Sequence, residues 1–278
     1  MQPPAGMAFD FSQPAGEPAL APAGGITWQV FANPVALFVG GVTAVLLELA
    51  EPSVRTGVWD HSSFRRDPAL RLRRTGFAAM MTVYGPRSAA EQLIANVVRI
   101  HRHVHGTTPA GVPYHANDPR LLDWVQATAT FGFTEAFHRY ARSLSASEKD
   151  AAFAEVQEAA RLYGATGAPR SWAGWEATLA GIAPSLEGSA ILADFIHIMG
   201  EASILPAPLR PLQHLLVRAA IEITPQPVRS LPQLRGNGLR PGEATLVRAL
   251  ARGAGLLPLG DTPPAQAARR LATARPHH

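Results

Sequence analysis

Thirteen consecutive residues, Val35 to Leu47 (VALFVGGVTAVLL), carry no charge and no polar side chain except Thr43. A run of that kind must leave water, and its length decides where it goes. A helix that crosses a bilayer needs about 20 apolar residues, and Glu48 ends this run early. The run therefore reads as a buried helix at the centre of a folded core, with a membrane segment as the weaker alternative. Asn33-Pro34 suits its first turn, and Glu51-Pro52 ends or bends it. The rest of the chain has to cover this helix. With 278 residues, 47% hydrophobic and 17% charged, it has enough apolar surface for one large core or two small ones.

The covering elements also read as helices. Asp67-Pro68 pairs a good N-cap with a proline suited to the first helical position, and the pattern runs to about Val83 before Tyr84-Gly85-Pro86 stops it. Ser88 and Glu91 have capping-box spacing, which predicts a helix from there to His105 with Gly106 as the residue that ends it. Asp118-Pro119 opens a long helical pattern over 120–144. Ser145 and Glu148 form a second capping box, and the helix is expected to reach Tyr163. Further helices fit 171–183, 185–199, 208–223 and 243–254. No strand alternation and no repeat stands out. The expected fold class is all-α: a single globular helical domain over 26–255, preceded by a flexible Pro/Gly/Ala-rich leader (1–25) and followed by a basic, proline-containing tail (256–278).

Composition narrows the function. The excess of Lys+Arg over Asp+Glu is only +4, and the arginines are scattered rather than gathered with aromatics, so no nucleic-acid partner is expected. The absence of cysteine excludes disulfides, thiolate nucleophiles, iron–sulfur ligation and thiolate-ligated haem. The N-terminal residues lack the charged and apolar regions of a secretory signal; the compartment expected is the cytoplasm.

One stretch carries chemistry. RIHRHVHG, Arg99 to Gly106, places His101, His103 and His105 within five residues. On a continued helix, Ile94, Val98, His101 and His105 share a face at i, i+4, i+7 and i+11. His101 thus falls on the apolar side, and His103 faces solvent. His105 sits in the last turn, where the helix dipole favours an imidazolium. A buried imidazole needs a partner. For His101 that partner is a backbone carbonyl, a polar side chain, or a metal or haem iron. A His101/His105 non-haem metal pair remains an alternative. A second constellation, ALRLRRTGF, puts Arg71, Arg74 and Thr75 on one helix face at i, i+3, i+4. It is either a solvated first turn or a set of donors for an anionic group.

These segments, taken in order, resemble the haem-dependent oxygenases of the MpaB and latex-clearing-protein (rubber oxygenase) family, and are closest to its bacterial MpaB-like members. The resemblance rests on NPVALFVGGVTAVLLELAEP, GVWDHSSFRRDPALRLRRTG, VYG, VVRIHRHVHG and PYHANDPRLLDWVQAT, and spans about Trp28 to Leu250. It implies an all-α fold around a buried pocket for haem b. His101, in the family pattern R-[IVL]-H, would be the proximal iron ligand and the chain's metal-binding residue. Arg71, Arg74 and Thr75, matching R-x-x-[KR]-T, would stand on the distal side as catalytic groups, with Arg71 also near a haem propionate. Substrates would be O2 and an apolar, isoprenoid-like alkene. Peripheral membrane contact is compatible with so lipophilic a substrate. Three positions depart from the family pattern: Glu51 and Gln126 stand where many bacterial relatives carry histidine, and Arg74 where the rubber-cleaving members carry lysine. A haem- or apolar-ligand-binding protein without turnover is the second reading. Glu48 and Glu51 are the carboxylates closest in sequence to the buried helix, should a general base be needed. His61 is expected to be hydrogen-bonded in a loop, Asp118 to cap a helix, and Phe131, Phe133 and Phe137 to pack in the core.

Overall fold

A computed structural model describes residues 9–61, 67–201, 210–256 and 260–272. Within them the chain is all-helical apart from one small hairpin. A short helix, α1 (Ile26–Phe31), leads into the apolar helix α2 (Pro34–Ala50). Asn33 caps α2: its side-chain oxygen accepts from the Val35 and Ala36 amides at 3.1 and 3.0 Å, while its amide group donates to the Ala251 carbonyl at 2.8 Å. Leu46, Leu47 and Leu49 are essentially inaccessible.

The main partner of α2 is α6 (Pro119–Ala136), which runs antiparallel to it. Two glycines bring the backbones together: a methyl group at Gly40 would sit 2.6 Å from the Phe133 Cα, and one at Gly132 would overlap the Gly40 carbonyl oxygen. The remaining sides of α2 are covered by α10 (Ala190–Glu201), α11 (Arg210–Ile223) and α12 (Glu243–Leu256). Behind α6, Trp124 and Phe131 stack on Trp175 of α9 (Trp172–Ile182) at 5.8 and 4.5 Å between ring centroids. Phe131 and Phe137 are buried and Phe133 is half-buried, in line with core packing.

At Glu51 the chain turns through 109° into α3 (Pro52–His61). Next come α4 (Pro68–Tyr84) and α5 (Arg87–His101). Asp67 caps α4 through the Leu70 amide, Asp118 caps α6 through the Arg120 amide, and Ser145 with Glu148 forms a complete capping box on α7 (Ala146–Glu155), each as its sequence signals. A small second cluster, Leu20, Ala90, Ile94 and Ala159, joins α5 to α8 (Gln157–Tyr163). Among the described residues no single helix is long and apolar enough to cross a membrane, although α2 and α3 pass together as a bent pair.

Several local expectations are corrected. The helix bearing the histidines ends at His101, not His105. The chain closes with Val104 N–H donating to the His101 carbonyl at 3.1 Å, then forms strand β1 (His105–Thr107) paired antiparallel with β2 (Pro113–His115), with His105 opposite His115. Gly106 therefore marks no helix end; a side chain there would meet the Tyr114 hydroxyl at 2.8 Å. The turn between the strands contains Gly111 at φ +81°, a left-handed conformation that glycine adopts without steric cost. Ser88 is not a cap. α5 begins after Pro86, and the Ser88 amide is taken by Glu17 at 2.6 Å. The pattern over 120–144 ends as α-helix at Ala136 and continues as one π-helical turn, Phe137–Ala141; the helix expected to reach Tyr163 breaks at Val156.

The two ends of the chain were expected to trail, yet their described parts meet. Helix α13 (Pro263–Ala272) buries Arg270, whose guanidinium donates to the carbonyls of Phe11 (2.5 Å), Glu17 (2.8 Å) and Tyr84 (2.8 Å). Phe11, Ala19, Leu20 and Ala21 are buried with it. Nothing in the sequence separates Arg270 from Arg269 beside it; that its donors satisfy carbonyls distant in the chain is not visible without the fold.

Candidate functional site

Four helices bring polar groups together on an otherwise apolar wall. From α2 comes Glu48, the first ionisable residue after the apolar run. From α4 comes Arg71, one turn into the helix. His101 ends α5, and Thr128 comes from the middle of α6. These groups act on each other in sequence. The Thr128 hydroxyl lies 3.5 Å from Glu48 Oε1, Arg71 stabilises the Glu48 carboxylate, and the Arg71 charge is felt at His101.

Glu48 is enclosed by protein, and that desolvation pushes its carboxyl up to about 7, with Arg71 and Thr128 pulling the other way. Burial likewise lowers the Arg71 pKa, opposed by Glu48 and assisted by Arg74; a guanidinium stays charged regardless. The His101 pKa falls below the ordinary histidine value, first through burial and then through Arg71, so its ring is neutral near pH 7. All three side chains are enclosed by protein and yet keep some accessible surface. Residues in that condition stand where the packed core meets solvent. Half-exposed apolar residues continue the same wall: Phe38, Gly41 and Val45 lead down α2 to Glu48 at helical spacing, and Ala129 and Phe133 do so on α6.

The His101 ring is turned toward Asn117. Its Nδ1 is buried with no completed hydrogen bond, and the facing Asn117 Oδ1 is likewise buried and unpaired. The structure thus brings Arg71 and His101 within electrostatic reach of each other. Arg74 is exposed beside Arg71, and Thr75, also exposed, donates its hydroxyl to the Arg71 carbonyl at 3.0 Å.

His105 does not join this group. It is exposed on β1, stacked 6.2 Å from His115, and has lost the i+4 helical relation to His101. Among the described residues no three His, Cys, Asp or Glu side chains are grouped so as to hold a metal ion, so the non-haem pair has no ligand set to complete it. His61 is hydrogen-bonded as expected, but its partner is the Tyr114 hydroxyl at 3.1 Å rather than a neighbour in sequence; Ser62 and Ser63 lie outside the described residues. Glu51 is buried and structural: Oε2 accepts the Val54 amide at 2.7 Å and Oε1 pairs with Arg120 at 3.4 Å. Gln126 donates within α6 to Thr130 at 3.2 Å.

The family model for the catalytic domain described as "ER-bound oxygenase mpaB/B'/Rubber oxygenase" matches residues 28–256. The chain belongs to that family. The match runs from α1 to the end of α12 and so includes every residue of this site. Uncharacterized proteins of Mycobacterium tuberculosis and Mycobacterium bovis are each 29% identical to it over 184 residues, covering 60% of this chain and 68% of theirs. No solved structure matches it significantly.

Sequence reasoning named Glu48 only beside Glu51 as a candidate general base, and left Thr128 and Asn117 without a part in the site. Glu48 did carry a signal, as the first charge to interrupt the apolar run. Thr128 and Asn117 are ordinary residues whose importance comes only from what lies opposite them.

Proposed function

We propose that the protein is a haem b-dependent oxygenase that uses O2 to oxidise or cleave an apolar, isoprenoid-like alkene, with His101 as the iron ligand. The observation that supports this most is the His101 ring: neutral near pH 7 and enclosed at the end of α5, with Nδ1 buried against Asn117 and no hydrogen bond on Nε2 among the described residues. Neutral imidazole is the form that binds iron. A single histidine would suffice to hold haem b, which brings four nitrogen ligands of its own, so the donor set fits this cofactor where it does not fit a protein-only metal site. When bound, the haem supplies the oxygen chemistry.

The chain's own residues have distinct tasks in this reading. His101 holds the iron from the end of α5. Arg71 offers a fixed fork of donors to an anionic group, a propionate or a developing oxygen anion. Arg74 and Thr75 add polar groups at the same rim. Glu48 is the general base: a carboxylate whose pKa is near the working pH accepts an allylic proton most effectively, here on Oε1 or Oε2. Phe38, Val45 and Phe133 line the wall with apolar surface suited to an alkene and hostile to water.

The test begins with protein made under haem supply. Wild type should show a strong Soret band and near-stoichiometric b-type haem by pyridine haemochrome, and His101→Ala should lose it. Full haem occupancy with an unchanged spectrum in His101→Ala would refute the ligand assignment. Carbonyl or other oxygenated products from isoprenoid alkenes under O2 would establish turnover and exclude a role in binding alone.

A further inference from the structure

We propose that Asn117 is the positioning residue for His101: its carbonyl oxygen Oδ1 accepts the Nδ1–H of the ring and leaves the Nε2 lone pair free for a metal. The inference rests on the assignment of His101 as the iron ligand, and it starts from how α5 ends. The last four carbonyls of a helix have no partner within it. Val98 carries one of these for α5, because the Arg102 amide turns instead to the Ile100 carbonyl. The Asn117 side-chain amide fills the gap, donating Nδ2 to the Val98 carbonyl at 3.0 Å. Its main-chain amide is held as well, by His115 Nδ1 at 3.0 Å. The NH2 end of the side chain is therefore committed to the helix, which also fixes which way the amide points. Only the oxygen remains.

Val98 and His101 stand three residues apart on one helix face, so a group anchored at the Val98 carbonyl reaches the His101 ring. Oδ1 is an acceptor with nothing to accept, and Nδ1 is a buried atom with no bond; both are unpaired. A proton on Nδ1 satisfies both atoms at once and selects the tautomer that presents Nε2 to the site. A histidine that binds a metal normally donates its other ring N–H in this way, and loss of the acceptor typically costs about 10–100-fold in metal affinity. An amide in this role is neutral. It orients the ring without drawing it toward imidazolate, so the iron stays less electron-rich than it would opposite a carboxylate.

The experiment uses the full-length chain with Asn117→Leu, Asn117→Asp and His101→Ala, each checked for native helicity by circular dichroism. In haem-free protein, 15N-resolved histidine spectra should show His101 as the Nδ1–H tautomer in wild type and a shift toward Nε2–H in Asn117→Leu. In haem-loaded protein, Asn117→Leu should raise the haem dissociation constant about 10-fold or more. Asn117→Asp should lower the ferric/ferrous potential and raise the iron–histidine stretching frequency. If Asn117→Leu fails to fold, the near-isosteric Asn117→Asp carries the test. An unchanged tautomer, potential and stretching frequency in the folded variants overturns the proposal. If His101→Ala keeps wild-type haem binding, the ligand assignment fails instead, and the haem-free tautomer still decides whether Asn117 orients the ring.

Discussion

Replacing Glu48 with glutamine should stabilise the haem-free protein above pH 7 and leave it nearly unchanged below pH 4.5. The folded carboxyl titrates at about 7 and the free group at 4.5. Between those values the folded chain keeps a proton that the unfolded chain has released. Stability then falls as pH rises, because the folded state binds more protons. The rise from 4.5 to about 7 corresponds to about 3 kcal/mol, an upper value because Glu48 retains some accessible surface. Glutamine has nearly the same shape and never ionises, so it avoids that cost. The difference in unfolding free energy between variant and wild type should be near zero at pH 4.5, climb through pH 5 to 7, and level off at up to about 3 kcal/mol by pH 8. Urea unfolding at a series of pH values, with equal m-values for the two proteins, measures this directly. Subtracting the two curves removes every other titrating group. A flat difference would show that Glu48 is not desolvated. A variant less stable than wild type at pH 8 would show that attraction to Arg71 outweighs burial, and would remove the ground for a base with a near-neutral pKa.

The close approach of α2 and α6 predicts that Gly132→Ala costs about 1–3 kcal/mol through overpacking, since the added methyl meets the Gly40 carbonyl, which has no room to move. Gly181→Ala in α9, where a methyl meets nothing within 4 Å, should instead stabilise by up to about 1 kcal/mol; urea midpoints for the pair, if shifted in the same direction, would contradict the packing argument. Arg270→Met keeps volume but strands three backbone carbonyls, at a cost of about 3 kcal/mol or more. Limited proteolysis should then release the segment around Phe11 before the helical core is cut.

The fold was legible where one residue's chemistry determines a local outcome. Asn33-Pro34, Asp67-Pro68, Asp118-Pro119 and the Ser145/Glu148 box each start a helix because a side-chain acceptor sits beside unpaired amides, a relation contained within four residues. Failures came where the deciding partner is remote. Ser88 has the spacing of a cap, but Glu17, far away in the chain, takes its amide. Helical periodicity carried His105 onto the face of His101, whereas the β1–β2 ladder and the Tyr114 ring packed on Gly106 turn the chain after His101. The same limit applies to the site. The apolar-face position of His101 and the grouping of Arg71 with Arg74 and Thr75 follow from periodicity. That Glu48 faces Arg71, or Asn117 faces His101, depends on how helices meet.

The two positions at which this chain departs from many bacterial relatives bear on whether the site is intact. Glu51 is occupied at the joint between α2 and α3: it takes the Val54 amide and binds Arg120 at the start of α6. Gln126 is occupied within α6 by Thr130. Neither supplies a partner to His101, Arg71 or Glu48. Their contribution is to placement. Arg120–Glu51, Thr128–Glu48 and Gly132–Gly40 are successive rungs between the antiparallel helices α6 and α2. The outer two rungs set the register of the middle one, where the Glu48 carboxyl stands 3.5 Å from the Thr128 hydroxyl. A histidine at 51 would put an imidazole at this joint; the glutamate there pairs with Arg120 at 3.4 Å. On this argument the exchange exerts its effect on the rigidity of the α2–α6 pair, and the groups of the site keep their places.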